Sequence, residues 1–251
     1  MKKIRVGIVN YLNTAPLIYG IRNSAVSDEI ELVPDYPANL ANDLLNDNID
    51  LGLVPVAVLA RLPHWWLIGD YCIGCDGPVS SVCIFSEVPL EQTRKIYLDY
   101  QSRTSVELAR ILVQDYWKLD VELIDAEGED FRDLIKGDTA GLVIGDRAFK
   151  QKSISKYSYD LGEAWKNHTG LPFVFAAWIS NKPLPGDFIK SFNDANGFGV
   201  NNIPDVTALL NFNGSVDLEE YFKKYISYRL DEQKRSALKL FLRHLNKTIS
   251  I

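Results

Sequence analysis

Val6-Gly-Ile-Val-Asn-Tyr-Leu-Asn-Thr-Ala-Pro-Leu17 is an apolar, β-rich run that breaks into Asn10, Asn13 and Thr14 just ahead of Pro16. Polar side chains where strand propensity ends and Pro opens a helix predict the point at which a parallel strand hands over to a helix. Ligands of open α/β sheets bind at such mouths. The same pattern also describes a plain Asn/Thr helix cap, so its meaning depends on what recurs downstream.

The chain alternates short strands and helices. Residues 17–24 read as a brief helix, 30–34 as a second strand and 38–46 as a second helix, which together make a βαβ unit. Asp50-Leu-Gly-Leu-Val-Pro-Val-Ala-Val-Leu-Ala60 is a buried strand that meets Pro55 and turns into a short helix, because Pro suits a first helical turn and not a central strand. Pro55 thus marks a second mouth. Residues 66–72 and 79–85 read as two strands around the turn Cys75-Asp-Gly-Pro78, with Ser80 and Ser81 among them.

A second unit begins near Lys95. Ile96-Tyr-Leu-Asp-Tyr100 reads as a strand, Ser102-Arg-Thr-Ser105 as a hydroxyl-rich turn, and residues 106–117 as a helix with Thr104 and Glu107 in capping-box spacing. A strand at 121–124, a short helix at 130–136 and the strand Gly141-Leu-Val-Ile-Gly145 follow, ending in Asp146-Arg147. This half repeats the first, and two such halves facing each other predict a bilobal architecture with a cleft between them. The aromatic stretch 159–180 suits a crossing back, and the helical tail from Pro185, which has no clustered chemistry, packs on the first lobe. The expected division is residues 1–88 and 175–251 for lobe 1 and 89–174 for lobe 2.

Composition sets outer limits. A chain of 251 residues, 47% of them hydrophobic, has apolar mass for one large core or two smaller ones. With 27 basic and 33 acidic residues the net charge is −6, which gives no general attraction to nucleic acid or to an anionic membrane. Met1-Lys-Lys-Ile-Arg-Val-Gly reads as a first strand and not as a signal peptide, and no window reaches transmembrane length, so a cytoplasmic location is expected. Cys72, Cys75 and Cys83 form no disulfide framework. Cys72-Ile-Gly-Cys75 has the C-x-x-C spacing of metal and redox pairs, but His64, His168 and His244 are scattered and supply no further ligands; the plain reading is small side chains at the rim of a hairpin.

Taken together, Val9-Asn-Tyr-Leu-Asn-Thr-Ala-Pro-Leu17, Asp50-Leu-Gly-Leu-Val-Pro-Val56, Asp76-Gly-Pro-Val-Ser-Ser-Val82, Ser102-Arg-Thr-Ser105, Gly141-Leu-Val-Ile-Gly-Asp146 and Gly170-Leu-Pro-Phe-Val-Phe-Ala-Ala-Trp178 resemble the chorismate dehydratase family of the futalosine route to menaquinone. The resemblance implies an α/β, two-lobed, type II periplasmic-binding-protein-like fold. It also implies removal of water from chorismate to give 3-[(1-carboxyvinyl)oxy]benzoate, with no cofactor and no metal. Such a site must hold two carboxylates, stabilise spreading negative charge and assist departure of hydroxide.

Each candidate residue has a plain reading beside the functional one. Asn13 matches the asparagine of the family's opening motif and is a turn cap or a donor to the ring carboxylate or the leaving hydroxyl; Thr14 joins it at the mouth. Ser81 matches the motif serine and is a binder of a carboxylate or of the leaving oxygen; Ser80 is a further substrate-binding candidate, although alternation along a strand points the two neighbours to opposite faces. Ser102, Thr104 and Ser105 sit at a helix N-terminus, where free N–H groups suit a carboxylate. Arg103 is either a salt-bridge partner for substrate or a solvent-facing side chain. Asp146 either lines the second mouth or orients Arg147. With no histidine in any motif, the enolpyruvyl carboxylate of chorismate is the expected base, with Asp146 as the alternative. Two rival readings share the fold: a non-catalytic small-anion binding or sensor protein, and the related later-pathway lyase with a larger nucleoside-derived substrate. Oligomeric state leaves no mark in the sequence.

Overall fold

The β-rich runs form two sheets, and the computed structural model describes residues 3–212, 214 and 216–249. The chain runs β1 (Ile4–Ile8), α1 (Ala15–Arg22), β2 (Ile30–Pro34), α2 (Pro37–Leu45), β3 (Leu51–Pro55) and β4 (Trp66–Cys75). It continues through β5 (Val82–Ser86), β6 (Lys95–Leu98), α3 (Thr104–Ile111), β7 (Glu122–Asp125), β8 (Thr139–Ile144), α4 (Asp146–Ile154), β9 (Tyr157–Asp160) and α5 (Leu161–Thr169). It closes with β10 (Phe173–Ser180), α6 (Gly186–Asn201), α7 (Ile203–Leu209), α8 (Leu218–Glu220), β11 (Ser227–Arg229) and α9 (Glu232–Ile249).

One sheet has the order β11-β4-β10-β3-β1-β2 and the other β7-β6-β8-β5-β9. β1 lies parallel to β2 and β3, and β6 lies parallel to β7 and β8, so each lobe is built on parallel strands whose C-terminal ends carry the loops. The chain passes to the second sheet between β4 and β5 and returns between α5 and β10, which pairs antiparallel with both β3 and β4. These two adjacent crossings set the lobes about a shared cleft.

The crossing falls earlier than the sequence division at residue 88. Val82–Phe85 pairs with Gly141–Ile144, so β5 belongs to the second sheet, and β10 begins at Phe173, two residues before the expected return at 175. Consequently β4 and β5 are not a hairpin, and Cys72, Cys75 and Cys83 are buried thiols on strands of two different sheets. Burial pushes the Cys72 thiol up to about 12. Among the described residues no group of three or more His, Cys, Asp or Glu side chains is placed to hold a metal ion.

Between the lobes, Trp165 of α5, Phe173 of β10 and Phe241 of α9 pack edge to face, with centroids 5.2 Å apart for Trp165–Phe173 and for Phe173–Phe241. Such pairs add about 0.5–1.5 kcal/mol each beyond their buried area, and the Trp165 indole donates to Pro172 O at 3.1 Å. The C-terminal helix therefore covers the crossing itself. At the other edge α1 and α6 touch backbone to backbone. A Cβ on Gly20 would stand 1.9 Å from Ala195 O, and one on Gly199 1.8 Å from Pro16 O, so no larger residue fits this contact.

The inner strands β1, β3 and β10 of the first sheet are tied by charge at one end. Asp50 accepts from Arg5 Nε at 3.2 Å, from Arg5 Nη2 at 3.0 Å and from Lys182. Burial works against the charged form, yet the hydrogen bonds from Arg5 and Lys182 outweigh it and hold the Asp50 carboxyl well below the usual carboxylate range. A depressed folded-state pKa contributes stability above the unfolded value, 3.8, that is lost as the pH falls below it. Asp50→Asn is therefore expected to be less stable than the native chain at neutral pH. The gap between their urea midpoints should close through the acid range, and a gap constant with pH would contradict this account of Asp50.

Candidate active site between the lobes

The opening stretch folds as the end of β1 followed by a tight turn, Leu12–Thr14, with Pro16 in the first turn of α1. The Thr14 hydroxyl lies 2.7 Å from both Val9 O and Tyr11 O. That use of Thr14 is structural: it closes the turn that carries Asn13. Asn13 is half-buried at a cavity between the lobes, and its carbonyl accepts from the Tyr228 hydroxyl at 2.9 Å.

Opposite stands Ser81, 1% exposed, in the crossing just before β5. Its Oγ accepts from the Tyr221 hydroxyl at 2.8 Å. Ser80 adopts φ +66°, and the N–H groups of Val79 and Ser80 donate to the Asp160 carboxylate at 3.0 and 2.7 Å. This left-handed residue turns the crossing so that Ser81 faces the cavity, which Ser80 does not line.

From the second lobe come Ser102, Thr104 and Ser105 at the start of α3, all buried and all lining the cavity. The capping-box reading of Thr104 and Glu107 gives way to a different bond: Ser102 Oγ accepts from Ser105 N–H at 3.0 Å. Thr104 Oγ1 instead accepts from Ala57 N–H of the first lobe at 3.1 Å. Arg103 is exposed and lines an outer groove of about 440 Å³ with Arg61, not the inner cavity. Ser102 lies on the wall shared by the two spaces.

Gly145, at φ +65°, closes the cavity beneath the Tyr11 ring. Asp146 is half-buried beside it without lining the cavity; its carboxylate accepts from Leu12 N–H at 3.4 Å across the lobes. Burial pushes its carboxyl above the usual range. Asp146 does not orient Arg147, whose guanidinium is taken by Asp99 at 2.8 Å and Glu129 at 3.1 Å.

Tyr11, Tyr221, Tyr228 and Gln101 were not singled out in the sequence. Tyr11 lies inside the opening motif and donates to Gln101 Oε1 at 2.7 Å, a third bond across the lobes. Tyr221 and Tyr228 sit in the tail, far along the chain from anything they touch here. The cavity measures about 70 Å³, against ~300 Å³ or more for typical small-molecule sites. Admission of a ring with two carboxylates therefore requires the lobes to part, breaking the Tyr11–Gln101, Ala57–Thr104 and Leu12–Asp146 bonds.

A sheet-based lobe at each side, two adjacent crossings and a largely apolar cavity at the strand ends, with Asn13, Ser81 and the α3 hydroxyls converging on it, define a two-lobed protein of the periplasmic-binding-protein fold. Solved structures agree: a protein from Archaeoglobus fulgidus superposes with TM-score 0.77 at 17% identity, covering 99% of this chain and 98% of that one. The periplasmic aliphatic sulphonate binding protein of Escherichia coli superposes with TM-score 0.64 at 11% identity, covering 100% of this chain and 89% of that one. The chain belongs to the menaquinone biosynthesis family, whose model matches residues 4–247. Among curated relatives, the chorismate dehydratase of Thermus thermophilus is 25% identical over 263 residues, covering 96% of this chain and 94% of its own. The chorismate dehydratase of Campylobacter jejuni is 26% identical over 250 residues, covering 94% of this chain and 95% of its own.

Proposed function

We propose that this chain is a chorismate dehydratase, a hydro-lyase that eliminates water from chorismate to give 3-[(1-carboxyvinyl)oxy]benzoate. The observation that carries the reading is the meeting of Asn13, Ser81 and the α3 N-terminus at one small cavity, in a chain similar over nearly its whole length to named chorismate dehydratases. Everything polar there is a neutral donor or a helix end, and none of the three histidines lines it.

The proton lost sits on the ring carbon that bears the enolpyruvyl ether, and the hydroxyl lost sits on its neighbour. Conjugation through the ring diene to the ring carboxylate acidifies that proton, and departure of hydroxide makes the ring aromatic. The α3 N-terminus, with Ser102, Thr104 and Ser105, receives a carboxylate, where helix N–H groups favour negative charge. Asn13 and Ser81 donate to the leaving hydroxyl and to the charge that spreads as the C–H bond breaks. The enolpyruvyl carboxylate takes the proton, so holding it against the ring supplies part of the acceleration, about 7–11 kcal/mol for a well-aligned pair.

Asp146 is engaged by Leu12 N–H and lies outside the cavity lining, which supports the substrate's own carboxylate as base. Asp146→Asn is expected to lose far less than the ~10²–10⁴-fold that removal of a general base brings, as read from kcat at saturating chorismate. No helix among the described residues is long and apolar enough to cross a membrane. The reading carries a cytoplasmic location with it, where Cys72, Cys75 and Cys83 stay reduced.

The test is incubation with chorismate in the presence of a chelator and without nucleotide, following aromatic absorbance and the mass of the product. Loss of one water with formation of the enolpyruvyl ether is the expected result. Chorismate bound but unchanged would overturn it in favour of a binding or sensor protein, and neither binding nor turnover would favour the lyase with the nucleoside-derived substrate.

A further inference from the structure

The tail from Pro185 carries no chemical motif, yet it delivers two phenols to Ser81 and Asn13, residues that line the cavity. Tyr221 is 1% exposed and sits where α8 widens into a π-type turn, with Ile226 N–H reaching Tyr221 O at 3.2 Å. Such turns insert an extra residue into a helix and recur at functional sites. Its ring is fixed edge to face on Phe149, with centroids 5.1 Å apart. Its hydroxyl donates to Ser81 Oγ at 2.8 Å across 140 residues of chain.

The direction of that bond matters. Once Ser81 Oγ accepts from Tyr221, the serine proton is left to point elsewhere. The protein acceptor within reach is Val79 O at 3.5 Å, which is the limit of a hydrogen bond. The remaining direction is the cavity. On the other side the Asn13 carbonyl is fixed by the Tyr228 hydroxyl at 2.9 Å. Tyr221 and Tyr228 thus each brace one of the two residues, Ser81 and Asn13, that line the cavity.

We propose that Tyr221 is a positioning residue for the dehydration: it turns the Ser81 hydroxyl into the cavity as a donor to the leaving hydroxyl. This rests on the chorismate dehydratase reading. Tyr221 acts through Ser81 and does not itself touch the reacting atoms.

The test is Tyr221→Phe, alone and combined with Ser81→Ala, with chorismate as substrate and the native chain measured in parallel. Tyr221→Phe keeps the ring and its packing, so a native-like melting transition is expected. Its kcat should fall about 10- to 100-fold, less than the ~10²–10³-fold that removal of an aligned donor brings because the Ser81 hydroxyl itself remains, with KM changed less than about twofold. In the Ser81→Ala background, Tyr221→Phe should cost almost nothing more, because groups acting as one unit are not additive.

A kcat for Tyr221→Phe within about twofold of the native value overturns the proposal, as does the same fold-loss in both backgrounds, since a merely structural phenol would cost the same with or without Ser81. Loss of the melting transition also overturns it, placing Tyr221 in the fold alone. Failure of the native chain to turn over chorismate is a separate outcome, which removes the dehydratase reading and this role with it.

Discussion

Asn13→Ala is expected to lower kcat on chorismate by about 10²–10³-fold, equivalent to roughly 2.7–4 kcal/mol of transition-state stabilisation, the loss that accompanies removal of one aligned donor from a closed site. The turn does not depend on this side chain. Thr14 closes it through Val9 O and Tyr11 O, and Tyr228 holds the Asn13 carbonyl, which alanine retains. A change in stability within about 1 kcal/mol is therefore expected. The kinetic loss is large because the amide faces the cavity that Ser81 and the α3 N-terminus also line.

Asn13→Asp separates size from charge. It preserves the volume but places a carboxylate against a dianionic substrate, so KM should rise as well as kcat fall. Steady-state kinetics on the two variants beside thermal melts would decide the matter. An Asn13→Ala enzyme that keeps kcat within about threefold would move the essential donor elsewhere, since a role of this kind leaves no room for so small an effect.

How much of this was legible in the sequence depended on how local the cause was. β2 stands at residues 30–34 as expected, and Pro16 and Pro55 mark both first-lobe mouths, because Pro fixes φ and removes a donor whatever surrounds it. Asn13, Ser81, Ser102, Thr104 and Ser105 do meet at one cavity. Sheet membership was not local: β5 looked like the partner of β4, and only pairing with Gly141–Ile144, more than fifty residues on, draws it into the second sheet. Helix α4 was missed because its nine residues carry little apolar periodicity, and β11 because three residues are too few to show alternation. Ser102 displaced Thr104 as the cap because Thr104 was claimed by Ala57 N–H from the other lobe. Tyr221 and Tyr228 sit in a charged helical tail whose spacing says nothing about contacts 140 and 215 residues away.

Arg147→Met is expected to cost about 3–5 kcal/mol of stability, the range for stripping the partner from a buried charge, and at roughly 2–4 °C per kcal/mol in a chain of this size the melting point should fall by about 6–20 °C. Asp99 is fully buried and accepts two bonds from Arg147 Nη2, at 2.9 and 2.8 Å. It also accepts from Gln101 N–H and Ile144 N–H, at 3.0 Å each. This one carboxylate ties the end of β6 to the end of β8, which places Gln101 under Tyr11 and Gly145 under the cavity. Met fills most of the space of the guanidinium stem but leaves Asp99 charged and unopposed.

The cost should depend on pH in a defined direction. Burial already pushes the Asp99 carboxyl above the usual range against the opposing charge of Arg147, and removing Arg147 raises it further. A raised folded-state pKa means that stability is recovered as the pH falls through it. The deficit of Arg147→Met should therefore shrink on acidification. Asp99→Asn in the same background should restore much of the loss at neutral pH, since the amide keeps an acceptor for Ile144 N–H or Gln101 N–H without the charge. Urea midpoints of the single and double variants across pH measure this. A deficit below about 1 kcal/mol, or one flat with pH, would mean that water reaches Asp99 and that the pair contributes no more than a surface salt bridge.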